Sequence, residues 1–312
     1  MRVAAIFGPG ASKRSLRPFQ SPDIRWLSQL PAEAAEADVV LILGGDGTVH
    51  RHLAELVRLN LPVLVVPCGS GNDFARALGL RRVKDAVAAW RAFAAGKGVV
   101  KRIDLGVIRP LNVGAPEVHH YFCTVAGIGL SSEIARRANR LPRWLLGHGG
   151  YALSLPPTLL GFRPFGLKIS AEPEKIKATP RLAFLAAFAN GPAYGGGMKI
   201  APRARLDDGR LDVCIVAETG KMRLFCLFPT VYFGRHLELA EVQYSQGENL
   251  RVETEPPLEV YADGEHVCQT PAQLTVAREA LRVIVNPGCW LLDLPAEPGG
   301  LPHSAPELSP RA

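Results

Sequence analysis

The sequence predicts an α/β domain with a parallel sheet, followed by a domain of antiparallel strands packed as a β-sandwich. Near the amino end, apolar runs alternate with glycine-rich loops and helical stripes. Beyond about residue 100, short strand-like segments separated by Pro and Gly turns dominate. The 312 residues are enough for two domains. We place the boundary at about Arg102, which gives domains of 1–102 and 103–286.

The clearest α/β signal is a strand–loop–helix–strand–loop series. Val39 to Leu43 is an apolar run long enough for a strand and too short for a helix. An amphipathic stripe predicts a helix that begins near Val49, and a second apolar run, Pro62 to Val66, follows it. Glycine loops at 44–48 and 69–73 come directly after the two runs. The series predicts a parallel βαβ unit whose loops share the edge where open α/β sheets bind ligands.

The first of these loops, GGDGT, has residue types that suit a phosphate site. Gly44, Gly45 and Gly47 let a phosphate approach the backbone closely, and the following helix supplies amide donors. Thr48 can cap that helix or donate its hydroxyl to a phosphate oxygen. The Asp46 carboxylate makes sense among such amides if Mg²⁺ or its water shell lies between them. An ordinary βα turn is the alternative, because Gly and Asp are common in turns.

The rest of the first domain is less regular. Arg2 to Phe7 predicts a first strand, which ends in a glycine-rich loop. Between residues 14 and 31 the one short helical candidate is Ile24 to Leu30. Two helices are predicted after the second glycine loop, at Phe74 to Leu78 and Val83 to Ala94. The chain contains no Walker A spacing, and neither central glycine loop matches the dinucleotide pattern Gly-x-Gly-x-x-Gly in register.

Strands dominate the second domain. The predicted strands are 101–108, 119–125, 167–170, 181–189, 211–216, 250–254, 258–261 and 281–285. Helices are predicted at 131–140 and 149–160. The segment 221–236 has basic ends around an apolar centre, which is typical of an interfacial anchor or of a buried helix broken at Pro229. Residues 295–312 are rich in Pro and are expected to be disordered.

Composition limits the class of protein. A hydrophobic content of 47% and a charged content of 21% are typical of a globular chain. No apolar run reaches the roughly 18 residues of a membrane span, and the amino terminus lacks the features of a signal peptide. The six scattered cysteines favour reduced thiols in a cytoplasm-like compartment. We therefore expect a cytoplasmic protein that is at most peripheral at the inner membrane face.

The net charge of +7 indicates an anionic partner. Nucleic acid is not expected, because the basic residues are dispersed and no reader motif occurs. Nucleotide phosphates and an anionic lipid surface fit the charge equally well.

Four sequence blocks together give a specific resemblance. They are GGDGT, then GSGNDFARALG, then ANGPAYGGGMKIAPRARLDDGRLDV, and finally YADGE. In this order, over roughly residues 38 to 290, they resemble the catalytic family of diacylglycerol kinases. The bacterial members of this family are related to sphingosine and ceramide kinases and, distantly, to NAD kinases. The resemblance implies a Rossmann-like α/β domain, a β-sandwich domain, a nucleotide cleft between them, and a chain end, about 287–294, that returns to the first domain.

The same resemblance implies that ATP binds in this cleft. The nucleotide would contact the loop from Gly44 to Thr48 and the hydroxyl of Ser70, with Asn72 and Asp73 at the border of the cleft. Asp46 would help to organise Mg²⁺ through water.

A second, structural Mg²⁺ is implied in the turn from Ala204 to Leu211. Its ligands would be the Asp208 side chain and the backbone carbonyls of Arg205 and Arg210. Oxygen ligands suit this hard cation. A plain hairpin turn is the alternative for this segment.

The tripeptide Asp263-Gly264-Glu265 is where the resemblance implies the chemistry. Phosphoryl transfer needs an in-line hydroxyl, neutralised phosphate charge and a carboxylate that accepts the hydroxyl proton. The family pattern assigns the base to Asp263 and directs Glu265 toward the metal and its water. Their i, i+2 spacing would place both side chains on one face of an extended segment.

The resulting hypothesis is an ATP-dependent lipid kinase, with a diacylglycerol-like acceptor that carries a free hydroxyl. Relatives have Asn where Gly8 stands and a longer chain before GGDGT, so a catalytically silent nucleotide- or lipid-binding regulator is one alternative. NAD kinase is a second. We also expect transient contact with a membrane surface. No motif in the sequence identifies the lipid acceptor. A homodimer through exposed edges of the sandwich is one option for the oligomeric state.

Overall fold

In the computed structural model, the residues that can be described are 1–112, 118–140, 150–171, 182–286 and 289. The first domain is built on a parallel sheet, as the sequence predicts, in the order β2–β1–β3–β4. Its strands are β1 (Arg2–Phe7), β2 (Arg25–Leu27), β3 (Val39–Gly44) and β4 (Val63–Pro67). Its helices are α1 (Asp46–Leu59), α2 (Asp73–Ala77) and α3 (Val83–Ala94). Every residue of β3 is buried, which explains its uninterrupted apolar sequence.

The helix predicted at Ile24 to Leu30 is wrong, because this segment contains strand β2. It pairs in parallel with β1, and the ring of Trp26 stacks on Trp90 of α3 with centroids 6.4 Å apart. Pairing at the sheet edge overrides a weak helical pattern here. The rest of the connection between β1 and β3 forms two 3₁₀ helices, Lys13–Phe19 and Ala34–Glu36.

Helix α1 begins earlier than predicted, and this changes the role of Thr48. The helix begins at Asp46 rather than near Val49, with Gly45 as its N-cap residue. Thr48 therefore lies buried in the first turn and does not cap the helix. A Cβ atom on Gly8 would collide with the Thr48 hydroxyl, so the chain needs glycine at the position where the family resemblance predicts Asn.

The second domain is an antiparallel sandwich covered on one side by helices. Its strands are β5 (Val99–Pro110), β6 (His120–Phe122), β7 (Val125–Gly129), β8 (Phe165–Ala171), β9 (Leu182–Ala189), β10 (Leu211–Ala217), β11 (Val242–Gly247), β12 (Asn249–Glu255), β13 (Glu259–Ala262), β14 (Glu265–Gln269) and β15 (Ala272–Val285). Its helices are α4 (Leu130–Ala138), α5 (Gly150–Gly161) and α6 (Lys221–Leu227), with 3₁₀ helices at Phe228–Phe233 and Arg235–Glu238.

Two layers of strands enclose the core of this domain. One layer runs β14–β13–β7–β9–β10–β11, and the other contains β8, β12, β15, β5 and β6. Buried side chains from both layers form the core between them, Phe122 and Phe188 among them. A separate cluster fills the space between the outer face of the first layer and the helices α4 and α5. The sandwich is therefore confirmed, with a helical layer on one face.

Several predicted strand limits are wrong in this domain. The predicted strand 119–125 is two strands, β6 and β7, and β11 and β14 were not predicted. The predicted strand 281–285 is the end of the 14-residue β15. The predicted start of β9 at Arg181 and the tail 295–312 lie outside the described residues.

Strand β15 carries the chain back to the first domain. Val283 pairs in parallel with Val63 of β4, so the return occurs by Leu281–Val285, ahead of the predicted 287–294. Cys289 is the one described residue of that later range, and its Sγ lies 3.1 Å from the Ala77 carbonyl oxygen in the first core. Strands β5 and β15 pair along nearly their whole length across both domains, and the predicted boundary at Arg102 falls inside β5.

Candidate active site

The two glycine loops pack against each other at the carboxyl ends of β3 and β4. A Cβ atom on Gly45 would stand 2.8 Å from Gly69 Cα, so the backbones touch where side chains would normally separate them. Asn72 adopts a left-handed conformation, with φ of 56°. Its Oδ1 accepts the Gly69 amide at 2.8 Å and its Nδ2 donates to the Gly69 carbonyl at 2.6 Å. Asn72 thus holds the second loop closed.

These loops form one wall of a cavity of about 470 Å³ between the two domains. The facing wall is formed by Thr124, helix α4 and the segment Asp263–Glu265. The predicted site residues that line this cleft are Gly45, Asp46, Gly47, Thr48, Ser70, Asp73, Asp263 and Glu265. The predicted site residues Gly44 and Asn72 do not line the cleft, although they belong to the two glycine loops. The volume is in the range of a typical small-molecule site, about 300–1,000 Å³.

Asp46 is anchored at the amino terminus of α2. Its two carboxylate oxygens accept the backbone amides of Asp73 at 3.1 Å and Phe74 at 3.0 Å. Burial, with the charge of Asp73 close by, nevertheless raises the pKa of Asp46 to about 6. The site therefore carries carboxylate charge that a cation in the cleft would stabilise. This chemistry fits the predicted Mg²⁺.

Asp73 connects the two domains across the cleft. Its Oδ2 accepts the Gly196 amide of the second domain at 2.7 Å, and its Oδ1 lies 3.3 Å from a guanidinium nitrogen of Arg76. Burial raises the pKa of Asp73, against the effect of these partners. The two residues of the Asn-Asp pair therefore have different roles. Asn72 shapes the second loop, and Asp73 joins the domains.

Asp263 is held by four hydrogen bonds. Its Oδ1 accepts the Thr124 amide at 2.8 Å and the Thr124 hydroxyl at 2.6 Å. Its Oδ2 accepts the Cys123 amide at 2.8 Å and pairs with His50 Nδ1 at 3.2 Å. Burial alone would raise the pKa of Asp263, but His50, Thr124 and the Cys123 amide outweigh burial, and the pKa is lowered. A carboxylate offers about four lone-pair positions, and all of them are engaged here.

His50 is a site residue that the sequence did not indicate. It lies on α1 in the first domain and reaches Asp263 in the second, with a side chain that is 14% exposed. Burial works against protonation of His50, yet the hydrogen bond and charge of Asp263 outweigh it, so the pKa of His50 is raised. One usable signal was present, because His50 follows Asp46 by four residues and such residues share a helix face.

Glu265 reaches across to the first glycine loop. A Cβ atom on Gly47 would stand 2.8 Å from Glu265 Oε1, so this glycine makes room for the carboxylate. The turn before Glu265 is tied to α4, because Asn139 Nδ2 donates to the Gly264 carbonyl at 2.7 Å. The expectation of an extended segment is wrong here, because Asp263, with φ of 50°, and Gly264, with φ of 87°, form the turn between β13 and β14. Further lining residues that the sequence did not indicate are Arg51, Thr124, Ser131, Ser132 and Tyr194.

The predicted structural Mg²⁺ turn lies apart from the cleft. Asp208 Oδ1 accepts the Arg210 amide at 3.0 Å, and burial raises the pKa of Asp208. Buried Asp104 fixes the turn by accepting the Gly209 amide at 2.6 Å. The Arg205 side chain donates to Asp207, and its backbone carbonyl is the group that the prediction assigns to the cation. Oxygen donors of this kind suit Mg²⁺. Among the described residues, no group of three or more His, Cys, Asp and Glu side chains could hold a metal ion.

A second, apolar cavity adjoins the cleft. Its volume is about 80 Å³, and it lies among α4, α5, α6 and the 3₁₀ helix that follows α6. Helix α4 separates the two spaces, with Ser131 and Ser132 lining the cleft and Leu130 and Ile134 lining the cavity. Tyr194 lines both. An amphipathic molecule at this point would meet polar groups on one side and apolar groups on the other.

Comparison with known families gives two matches along the chain. Residues 22–108 match the family described as "Diacylglycerol kinase catalytic domain", and residues 124–285 match "YegS C-terminal NAD kinase beta sandwich-like domain". A diacylglycerol kinase of Mycobacterium tuberculosis (strain H37Rv) is 36% identical over 254 residues, which cover 81% of this chain and 78% of the relative. A diacylglycerol kinase of Bacillus subtilis (strain 168) is 27% identical over 259 residues, covering 81% and 80%.

Solved structures show the same fold. A diacylglycerol kinase structure from Bacillus anthracis str. Sterne has a TM-score of 0.65 at 22% identity, covering 92% of this chain and 98% of that one. An NAD kinase from Archaeoglobus fulgidus, in complex with ATP, has a TM-score of 0.53 at 13% identity, covering 93% and 95%. Across the described residues, no helix is both long and apolar enough to cross a membrane.

Proposed function

This chain belongs to the diacylglycerol kinase catalytic family of lipid kinases, and from that premise we propose that its cleft transfers the γ-phosphate of ATP to a diacylglycerol-like hydroxyl. The observation that carries the proposal is the meeting of the glycine loops with Asp263 and Glu265 in one cleft between the domains. Phosphoryl transfer needs both sets of groups within reach of the same phosphate.

The glycine loops would hold the phosphates of ATP. The amino terminus of α1 has no side-chain cap, lines the cleft, and directs the positive end of a helix dipole toward it. The Ser70 hydroxyl lines the same space and can donate to a phosphate or ribose oxygen. An NAD kinase with this fold was solved in complex with ATP, which supports the same use of the cleft here.

Asp46 and Glu265 are the residues that would hold Mg²⁺, directly or through water. Both carboxylates line the cleft next to the glycine loops. Burial and the charge of Asp73 raise the pKa of Asp46, so a cation beside this carboxylate would stabilise its ionised form. When bound, Mg²⁺ would neutralise phosphate charge. The predicted structural Mg²⁺ at Asp208 is a separate proposal about the second domain.

Asp263 would accept the proton of the lipid hydroxyl, with Thr124 as its point of contact. All four lone-pair positions of Asp263 are engaged, whereas Thr124 lines the cleft and donates its hydroxyl to Asp263. The lipid hydroxyl would pass its proton to Thr124 Oγ1 while Thr124 passes its own proton to Asp263 Oδ1. The lipid oxygen then bonds to phosphorus as the bond from phosphorus to ADP breaks. Thr124 ends unchanged and Asp263 ends protonated.

The apolar cavity supports a lipid acceptor. Tyr194 lines both the cavity and the cleft. A lipid whose chain enters the cavity would pass this residue and place its polar end near Ser131, Ser132 and Thr124. A cavity of about 80 Å³ holds only part of an acyl chain. The rest of the lipid would extend out of the protein. Diacylglycerol is the proposed acceptor because the relatives with the higher identities carry that name.

The test is transfer of labelled γ-phosphate from ATP and Mg²⁺ to separate acceptors in mixed micelles. The acceptors are diacylglycerol, phosphatidylglycerol, a sphingoid base and an isoprenoid alcohol, with NAD in solution as the comparison. Labelled diacylglycerol as the main product supports the proposal. Labelled NAD alone would favour NAD kinase, and ATP binding with no labelled product would favour the silent regulator.

A further inference from the structure

Helix α6 and the 3₁₀ helix after it are apolar on both faces. Their inward side chains, Leu224 and Leu227 among them, line the apolar cavity. Three of their outward side chains are also large and apolar, with Met222 74% exposed, Phe225 44% and Phe233 73%. A surface helix of a globular protein normally turns polar residues toward water. This outer face therefore needs a partner.

Helix α5 has the same character. It contains no charged residue, and two of its leucines, Leu153 at 54% and Leu160 at 76%, are exposed. The two helices meet where Lys221 Nζ donates to the Leu160 carbonyl at 2.7 Å. We call Leu153, Leu160, Met222, Phe225 and Phe233 the apolar rim. In the rest of the described chain, the exposed large apolar side chains are scattered singly, at Met1, Val83, Val118 and Leu182.

The charges near the apolar rim are mixed. Arg163 follows α5 and is exposed, and Arg223 is an exposed residue within α6. Arg223 pairs with Glu241, however, and Arg235 lies 3.9 Å from Glu238. Cations that already have carboxylate partners add little attraction for anionic groups. The partner of this surface is therefore recognised mainly by apolar contact.

We propose that the apolar rim inserts into the surface of a lipid bilayer and brings the apolar cavity to the membrane. The proposal rests on the proposed function, because the acceptor of a lipid kinase resides in a bilayer. The helices that carry the rim also line the cavity, through Leu155, Leu224 and Leu227. The cavity holds only part of a chain, so the remaining chain can stay in the bilayer. Exposed Phe, Met and Leu side chains beside a few cations are typical of interfacial helices.

The test compares the chain with a Met222→Ser/Phe225→Ser/Phe233→Ser variant in co-sedimentation with vesicles of phosphatidylcholine and phosphatidylglycerol, without ATP. The triple variant should bind at least about tenfold more weakly, because three large apolar side chains no longer leave water. Val83→Ser, which changes an exposed apolar residue on the first domain, should bind as the parent does. High salt should weaken vesicle binding of the parent chain less than the triple substitution weakens it.

Two further measurements separate docking from folding and from catalysis. Phe233→Trp should show a blue shift of Trp emission on addition of vesicles, measured against the parent chain. The triple variant should keep the thermal midpoint of the parent and its activity on dispersed short-chain diacylglycerol. If the parent binds vesicles through the rim and yet phosphorylates no lipid, the docking surface is supported and the proposed function fails.

Three results would overturn the docking proposal. The first is a folded triple variant that binds vesicles as tightly as the parent. The second is a parent chain that does not bind vesicles although it phosphorylates dispersed lipid. The third is a parent dimer that the triple substitution converts to monomer without any effect of vesicles on Trp emission, which would assign the rim to a second copy of the chain.

Discussion

At the scale of single residues, Asp263 combines deep burial with complete hydrogen bonding. In the resting site this carboxylate is ionised and fixed in direction, because each partner donates to the charged form. The same partners leave no free lone pair for a substrate. Thr124 is the one hydroxyl among them, and it lines the cleft.

Substitution of Thr124 should therefore separate hydroxyl chemistry from packing. Thr124→Ser keeps the hydroxyl, and we expect it to retain most of the activity. Thr124→Val keeps the shape, and we expect kcat to fall by about 100-fold or more because the proton path to Asp263 is lost. The measurement is steady-state phosphorylation of diacylglycerol at saturating ATP. An equal kcat for the Thr124→Val variant and the parent chain would show that the proton reaches Asp263 without Thr124.

The pair of His50 and Asp263 should give a pH-dependent contribution to stability. The raised pKa of His50 means that its contribution is complete below about pH 6.5 and is lost as pH rises through the folded pKa. The lowered pKa of Asp263 means that its contribution is present above about pH 4 and is lost as pH falls further. We expect His50→Ala to lower the free energy of unfolding by about 1.5–3 kcal/mol near pH 6 and by less near pH 9.

Urea denaturation at the two pH values measures this difference. His52→Ala is the matched control, because His52 lies two residues along the same helix with a more exposed side chain. A loss of stability in His50→Ala that does not change between pH 6 and pH 9 would contradict the charged pairing.

Residue chemistry shows why the sequence predicted only part of the site. Asp46, Glu265 and Asp263 were predicted because their short motifs occur with two other blocks in an order that resembles one family, and the structure brings all three to one cleft. Thr124 and His50 lie in no distinctive motif, and 139 and 213 residues separate them from Asp263. Their role depends on how the two domains meet, and no local pattern encodes that contact.

At the scale of elements, the two glycine loops depend on a close approach of backbones. In a Gly45→Ala variant, the new Cβ atom would lie against Gly69 Cα. The backbone at Gly69 cannot move aside as a flexible side chain can. We expect this variant to lose about 1–3 kcal/mol of stability and to bind ATP at least about tenfold more weakly. Thermal unfolding and titration calorimetry with ATP measure the two effects.

Gly220→Ala is the control for this prediction. No atom lies within 4 Å of its Cβ position, and its φ of −63° suits any residue. The control should therefore bind ATP as the parent does. Unchanged ATP affinity in Gly45→Ala would contradict the assignment of this loop to the phosphates.

Elements were easier to predict than their limits. Buried parallel strands such as β3 are uninterrupted apolar runs, and these were correct because burial on both faces requires that composition. Strands β11 and β14 were missed because they are partly exposed and carry polar side chains. The segment 25–27 was mistaken for a helix because its strand is only three residues long and its pairing partner lies elsewhere in the chain.

At the scale of the whole molecule, function depends on two domains that share long strands. Strands β5 and β15 run side by side through both domains, and Asp73 binds the Gly196 amide across the cleft. The relative position of the loops and of Asp263 is therefore fixed by many distant contacts. The fold class and the order of the domains were predictable from the order of motifs, whereas the early return of the chain at β15 depended on pairing that no local pattern encodes.

The central claim is that Asp263 accepts the proton during transfer of phosphate to a lipid hydroxyl. The most direct measurement is the rate of labelled diacylglycerol product for Asp263→Asn beside the parent chain, with Asp207→Asn as a folded control outside the cleft. We expect a fall in kcat of about 100-fold or more for Asp263→Asn, with ATP affinity and circular dichroism unchanged. A correctly folded Asp263→Asn protein with the kcat of the parent chain would contradict the claim.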